Sequence, residues 1–189
     1  KVTIALTPVE DPTVYGVVET DARGRVQQFL EKPSRQEVTT NMINAGIYIL
    51  EPEVLQHAPP HTHFTFERDL FPLLLGMGEP IYGYPSHVYW IDIGTPEKYL
   101  QVHRDLLCGK SVNSPSGNSG EQALVSSQSH VHPTVQMRGP LVIGNDCTLE
   151  QDVHLTGPAV LGTGCKIGAD AVIEDSILWK NVRVGHRVT

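Results

Sequence analysis

The sequence predicts an α/β domain followed by a left-handed β-helix of hexapeptide repeats. Three observations carry this reading. Strand and helix signals alternate up to residue 108, a Ser-rich stretch follows, and from residue 131 apolar residues recur at a spacing of six. The boundaries drawn are 1–108 for the α/β part, 109–130 for a linker and 131–189 for the β-helix.

The first element is the strand Val2-Thr3-Ile4-Ala5-Leu6. Tyr15 to Thr20 and Arg25 to Leu30 read as a hairpin, because Asp21-Ala22-Arg23-Gly24 between them has turn chemistry. Ile43 to Leu50 is a further apolar strand closed by Glu51-Pro52. Short helices are predicted at Glu53 to His57 and Phe66 to Leu75, the latter with one wet face around Glu67, Arg68 and Asp69. Tyr82 to Tyr84 and Val88 to Ile93 supply strand material. The last helix of this half starts clearly, with Thr95 as N-cap, Pro96 at the first helical position and Glu97 in the first turn, and Gly109 suits its end.

Residues 109–130 hold seven Ser but only three of Val, Leu and Ile, too little apolar material for a core. Beyond them Val131, Met137, Ile143, Leu149, Leu155, Leu161, Ile167, Ile173 and Trp179 form an unbroken six-residue series. The residues two positions earlier, from Leu141 to Ile177, are mostly small or β-branched. In a hexapeptide coil each unit forms one face of a triangular cross-section, and both series point inward. The next anchor, Val184, comes one residue early, so the last turn is irregular.

Composition narrows the function. The net charge is −7, from 21 acids against 14 Lys and Arg, which argues against an electrostatic grip on nucleic acid or anionic membrane. Cys108, Cys147 and Cys165 form no CxxC pair, and no apolar run is long enough to span a bilayer. Together these point to a reducing, cytoplasmic setting. Cys147 and Cys165 fall on inward coil positions and read as core, and Cys108 closes a helix.

Few residues are candidates for chemistry. Glu31 and Lys32 end the second hairpin strand, where extended neighbours point to opposite sides. They are two solvated residues, or an acceptor for ligand hydroxyls and a cation for phosphate. Asp92 shares a strand face with Trp90 and stands before the strand-breaking Gly94-Thr95-Pro96. An acid at that rim either holds a hard cation against phosphate oxygens or accepts N–H bonds at the helix start. His57, His61 and His63 read as an exposed cluster, and His154 should point outward from the coil.

In order along the chain, Tyr15-Gly16-Val17-Val18-Glu19, Phe29-Leu30-Glu31-Lys32-Pro33, Asn44-Ala45-Gly46-Ile47-Tyr48-Ile49-Leu50 and Trp90-Ile91-Asp92-Ile93-Gly94-Thr95 resemble the sugar-1-phosphate nucleotidyltransferases, the nucleotide-sugar pyrophosphorylases. A hexapeptide tail is also common in that family. Asn44 to Leu50 with the tail looks most like the mannose-1-phosphate guanylyltransferase branch. The resemblance implies the C-terminal part of a Rossmann-like nucleotidyltransferase sheet. It implies Gly16 letting backbone approach the sugar, Glu31 on sugar hydroxyls, Lys32 on the sugar phosphate, Asn44 on the sugar, and Asp92 as one of two aspartates holding a catalytic Mg²⁺.

The implied reaction passes a nucleotidyl group from a nucleoside triphosphate to a sugar-1-phosphate. Glucose-1-phosphate thymidylyl-, uridylyl- or adenylyltransfer and a non-catalytic sugar-phosphate-binding subunit are the alternatives. A third class is a β-helix acyltransferase or hydratase, which would need histidines from adjacent coils converging on a cleft. The family's Gly-rich loop and second aspartate precede the motifs seen here. The chain opens at Lys1 inside a strand and closes at Thr189 within a repeat, which reads as a piece cut at both ends. The 189-residue piece is therefore expected to be inactive alone, and the β-helix to form oligomers.

Overall fold

The computed structural model describes residues 1–110 and 123–189. They divide into two compact units, Lys1–Trp90 and Ile91–Thr189. The helix after Thr95 therefore groups with the coil rather than with the sheet that precedes it in sequence.

The first unit is built on a mixed five-stranded sheet. Its strands are β1 (Val2–Pro8), β2 (Gly16–Thr20), β3 (Val26–Glu31), β4 (Met42–Leu50) and β5 (Ile81–Pro85), in the order β3-β2-β4-β1-β5. Strands β1 and β5 run parallel and the other pairs antiparallel. The β2–β3 hairpin forms as predicted. Asp21 closes it by accepting the N–H groups of Arg23 (2.8 Å) and Arg25 (2.9 Å). Alternation along β1 sends Val2, Ile4 and Leu6 into the core, against Leu70, Phe71 and Leu74. The predicted helix over Phe66 to Leu75 is a single π turn, Phe66–Leu70, leading into α1, Phe71–Gly76. Thr65 caps it: its hydroxyl accepts from Arg68 N, and its own N–H and hydroxyl donate to Asp69 (2.7 and 3.0 Å).

The strand predicted over Val88 to Ile93 does not form, and Asp92 lies exposed on irregular chain. Strand β5 ends at Pro85, which has no N–H for the ladder, and the last backbone bond is Ser86 N to Leu6 O (2.8 Å). From there side chains hold the path. Trp90 Nε1 donates to Ala45 O (3.1 Å), and its ring meets Tyr15 edge-on at 5.7 Å.

In the second unit α2 (Pro96–Leu107) has the predicted caps. Thr95 Oγ1 accepts from Lys98 N (3.3 Å), and Gly109 takes φ 77°. The coil is a parallel β-solenoid whose strands stack in three sheets. Its first paired strand, Ala123–Val125 against Leu141–Ile143, lies within the stretch read as linker. Positions 111–122 of that stretch are outside the described residues.

The inward series is buried from Ile143 to Ile173, with Leu141, Cys147, Val153, Ala159, Cys165 and Ala171 beside it. Trp179 breaks the expectation at 67% exposure. Pairing shows why. His154 opposes Val172, a step of eighteen residues, whereas Val160 opposes Ile177, a step of seventeen. One residue is lost at the corner carrying Asp175, whose φ is 44°. The inward anchors thereafter are Leu178 and Val184, six apart, and both pack on the coil core. The slip thus precedes Trp179 rather than following it. Helix α2 meets this short corner: the Arg104 guanidinium donates to Asp175 through Nε and Nη2, and Trp179 Nε1 donates to the Tyr99 hydroxyl (3.0 Å).

Candidate functional site

Across the first unit's sheet, Glu31 on β3 is the register partner of Gly16 on β2. One step back from the Val17–Ile43 pair, the antiparallel register sets Gly16 opposite Asn44 on β4. Three of the residues singled out from sequence therefore form one row. Glu31 and Asn44 share a face and stand two strand spacings, about 9–10 Å, apart at the backbone.

Gly16 is buried, and the space a side chain would fill is taken. A Cβ there would lie 2.9 Å from Phe29 Cζ and 3.1 Å from Glu31 Oε2. The missing side chain makes room for the Phe29 ring and the Glu31 carboxylate. Glu31 Oε1 also lies 3.9 Å from Arg68 Nη2.

Asn44 is held at both ends of its amide. Oδ1 accepts from Gly46 N (2.9 Å), and Nδ2 donates to the Tyr48 hydroxyl (2.7 Å), which donates in turn to Glu67 Oε1 (2.6 Å). Burial, and then the Glu67 carboxylate, pushes the Tyr48 phenol well above its ordinary range, so it stays a proton donor. A bulge allows this contact. Ile4 pairs with Tyr48 and Leu6 with Asn44, so residues 45–47 of β4 stand opposite Ala5 alone, with Gly46 at φ 75°. Trp90 bonds the carbonyl of that bulge.

Lys32 follows β3 with φ 50°, while its N–H reaches Tyr15 O (3.0 Å). This left-handed conformation costs a lysine about 1–2 kcal/mol, and it interrupts the alternation behind the opposite-sides reading. Lys32 is exposed and, among the described residues, carries no ion pair.

Asp92 belongs to the second unit. Thr95, not Asp92, caps α2, which removes the reading of Asp92 as a helix-start acceptor. Among the described residues its carboxylate has no hydrogen bond or ion pair, and a Cβ on Gly94 would sit 3.5 Å from its Oδ2. A free, exposed carboxylate suits Mg²⁺, which takes one or two carboxylates and completes its shell with phosphate oxygens and water. No group of three or more ligating side chains gathers among the described residues.

Sequence reasoning gave Tyr48 and Glu67 no role at the site: Tyr48 lies in an apolar strand run, and Glu67 shares a wet helix face with Arg68 and Asp69. Three coil histidines, His130, His132 and His186, do line one open groove of about 950 Å³. Two have near neighbours of their own: His132 Nδ1 meets Thr134 Oγ1 at 2.9 Å, and His186 Nδ1 lies 3.6 Å from Glu150 Oε2. His154 is exposed, as expected.

Residues 1–108, more than half of the chain, match the nucleotidyl transferase family model. The chain belongs to that family. Residues 140–175 also match the bacterial transferase hexapeptide model, a run of six repeats that coincides with the buried coil. The mannose-1-phosphate guanylyltransferase of Mycobacterium tuberculosis is 40% identical over 146 residues, covering 76% of this chain and 40% of that protein. A UTP–glucose-1-phosphate uridylyltransferase of Synechocystis is 33% identical over 181 residues, 94% of this chain and 47% of its own length. A glucose-1-phosphate adenylyltransferase of Desulfitobacterium hafniense is 32% identical over 188 residues, 94% and 45% respectively. The chain thus spans less than half the length of these relatives. No helix among the described residues is long and apolar enough to cross a membrane.

Proposed function

We propose that the protein carrying this chain transfers a nucleotidyl group from a nucleoside triphosphate to a sugar-1-phosphate, with GTP and mannose-1-phosphate as the preferred pair. The observation that supports it most is the row Glu31–Gly16–Asn44, set in a chain of the nucleotidyl transferase family. It offers a carboxylate and an oriented amide on one sheet face, the groups that recognise a polyhydroxyl ring. The 40% identity to a mannose-1-phosphate guanylyltransferase favours that sugar and base.

In this reading Glu31 accepts from sugar hydroxyls, and Asn44 supplies one further donor and acceptor. The Lys32 ammonium takes the sugar phosphate. A phosphate oxygen of the sugar attacks the α-phosphorus in line; the new P–O bond forms as the bond to pyrophosphate breaks. Such transfer rests on positioning and charge neutralisation and needs no covalent intermediate. Asp92 is the residue that would hold Mg²⁺, whose part when bound is to offset phosphate charge. Assembly of copies through the solenoid belongs to the same reading and is checked by light scattering.

The test is pyrophosphate release by the protein carrying this chain, with GTP or UTP paired with mannose- or glucose-1-phosphate. GTP with mannose-1-phosphate should be fastest. Preference for glucose-1-phosphate would reassign the sugar, and no release with any pair would refute the function. The 189-residue chain assayed alone should release none.

A further inference from the structure

Resting on that function, we propose that Glu67 is a positioning residue for sugar recognition: through Tyr48 it fixes which way the Asn44 amide presents its donor and acceptor. The proposal stands on a hydrogen-bond chain whose direction is determined at both ends. At one end, the Gly46 N–H can only donate, so it requires Oδ1 of Asn44 and turns Nδ2 towards Tyr48. At the other, the Glu67 carboxylate accepts from the Tyr48 hydroxyl, which leaves the phenolic oxygen to accept from Asn44. Reversing the amide would set donor against donor at Gly46 and would draw the Tyr48 proton away from Glu67.

Asn44 has four hydrogen-bonding positions, and this chain uses two. One N–H and one oxygen lone pair are left with a single, fixed arrangement, the condition for telling sugar hydroxyls apart by their geometry. A carboxylate at the end of the chain also strengthens each bond along it.

The next residue acts on the other end of the row. Arg68 lies 3.9 Å from Glu31. The π turn Phe66–Leu70 thus sends successive side chains to Tyr48, which supports Asn44, and to Glu31, while its Phe66 ring and that of Phe71, which opens α1, pack edge-on or tilted against Tyr48 and each other. Turns of this wider kind recur where a helix is reshaped for a site.

Tyr48→Phe keeps the ring and its packing while breaking the chain, and Glu67→Gln keeps an acceptor in place. In steady-state assays Tyr48→Phe should raise KM for the sugar-1-phosphate about tenfold, with KM for the nucleotide and kcat within about twofold, as loss of one directed bond implies. Glu67→Gln should restore most of the sugar affinity lost in Glu67→Ala. An unchanged sugar KM in Tyr48→Phe, or equal rises for both substrates, would overturn the proposal. A second arm does not need turnover. In ¹⁵N-labelled protein one Asn44 side-chain N–H should be protected from exchange, keep that protection in Glu67→Gln and lose it in Tyr48→Phe. Protection that survives in Tyr48→Phe would overturn the relay even if no sugar-1-phosphate were turned over, whereas absent turnover with intact protection would count against the proposed function alone.

Discussion

Gly16→Ala is the substitution in which stability and sugar binding should fail together, for reasons that can be worked separately. The added methyl would sit 2.9 Å from Phe29 Cζ and 3.1 Å from Glu31 Oε2. Carbon atoms in contact settle at about 3.5–4.0 Å, so the ring must retreat by most of an ångström and the carboxylate by less. The ring has little room to do so. It packs at 5.7 Å against Phe71, which is fully buried. Overpacking of this kind costs about 1–3 kcal/mol, and the lower entropy of the unfolded alanine chain returns about 0.4–1 kcal/mol. A net loss of about 1–2 kcal/mol follows, which should shift the urea midpoint without changing the slope. Displacing Glu31 should also raise KM for the sugar-1-phosphate by about tenfold while sparing KM for the nucleotide, as one lost hydrogen bond to a charged group would. Denaturation and the two KM values would be measured on the same preparation. A variant with wild-type midpoint and wild-type sugar KM would show that the row does not bind sugar as argued.

Gly162→Ala should be worse for the coil. Its Cβ would stand 2.8 Å from Lys180 N and 2.9 Å from Trp179 C, backbone atoms that cannot yield without parting the turns. A loss of about 2–4 kcal/mol is expected by chemical denaturation, whereas the control Gly76→Ala, with nothing within 4 Å in α1, should gain up to about 1 kcal/mol. The Arg104 guanidinium holds the Asp175 carboxyl below its ordinary range. A carboxylate whose folded value is depressed contributes its stability above its unfolded value, about 3.9, and loses it as pH falls through the folded one. Asp175→Asn should therefore lower the urea midpoint at pH 6, and the gap to wild type should close as pH falls below about 4. Asp92→Asn should leave stability within about 0.5 kcal/mol, because the side chain is exposed and, among the described residues, unpaired, yet raise the Mg²⁺ concentration needed for half-maximal pyrophosphate release.

Much of this architecture could be read from residue order because the signals were local. Apolar runs and the turn chemistry of Asp21-Ala22-Arg23-Gly24 placed β1 to β4, Thr95-Pro96-Glu97 placed α2, and the six-residue period placed the coil. Three features were hidden for physical reasons. Val88 to Ile93 has strand composition, but Pro85 ends the ladder and the Trp90–Ala45 bond replaces it. Trp179 lands on the six-residue count, yet the coil had already lost a residue at Asp175, and counting apolar positions cannot detect a slip that arrives at another apolar residue. At the site, Glu31, Asn44 and Gly16 followed from a resemblance, while Tyr48 and Glu67 are nineteen residues apart and meet only through the fold.

The chain contains two tryptophans, and the structure gives each compact unit one of them. Trp90 is half-buried and bonded to the β4 bulge; Trp179 is largely in solvent, tethered to α2 through Tyr99. Their emission should therefore differ in colour and in quenching by iodide without any label being attached. Trp90→Phe and Trp179→Phe would each leave one tryptophan in the chain, so that melting of the sheet unit and of the coil unit could be followed one at a time in the same protein.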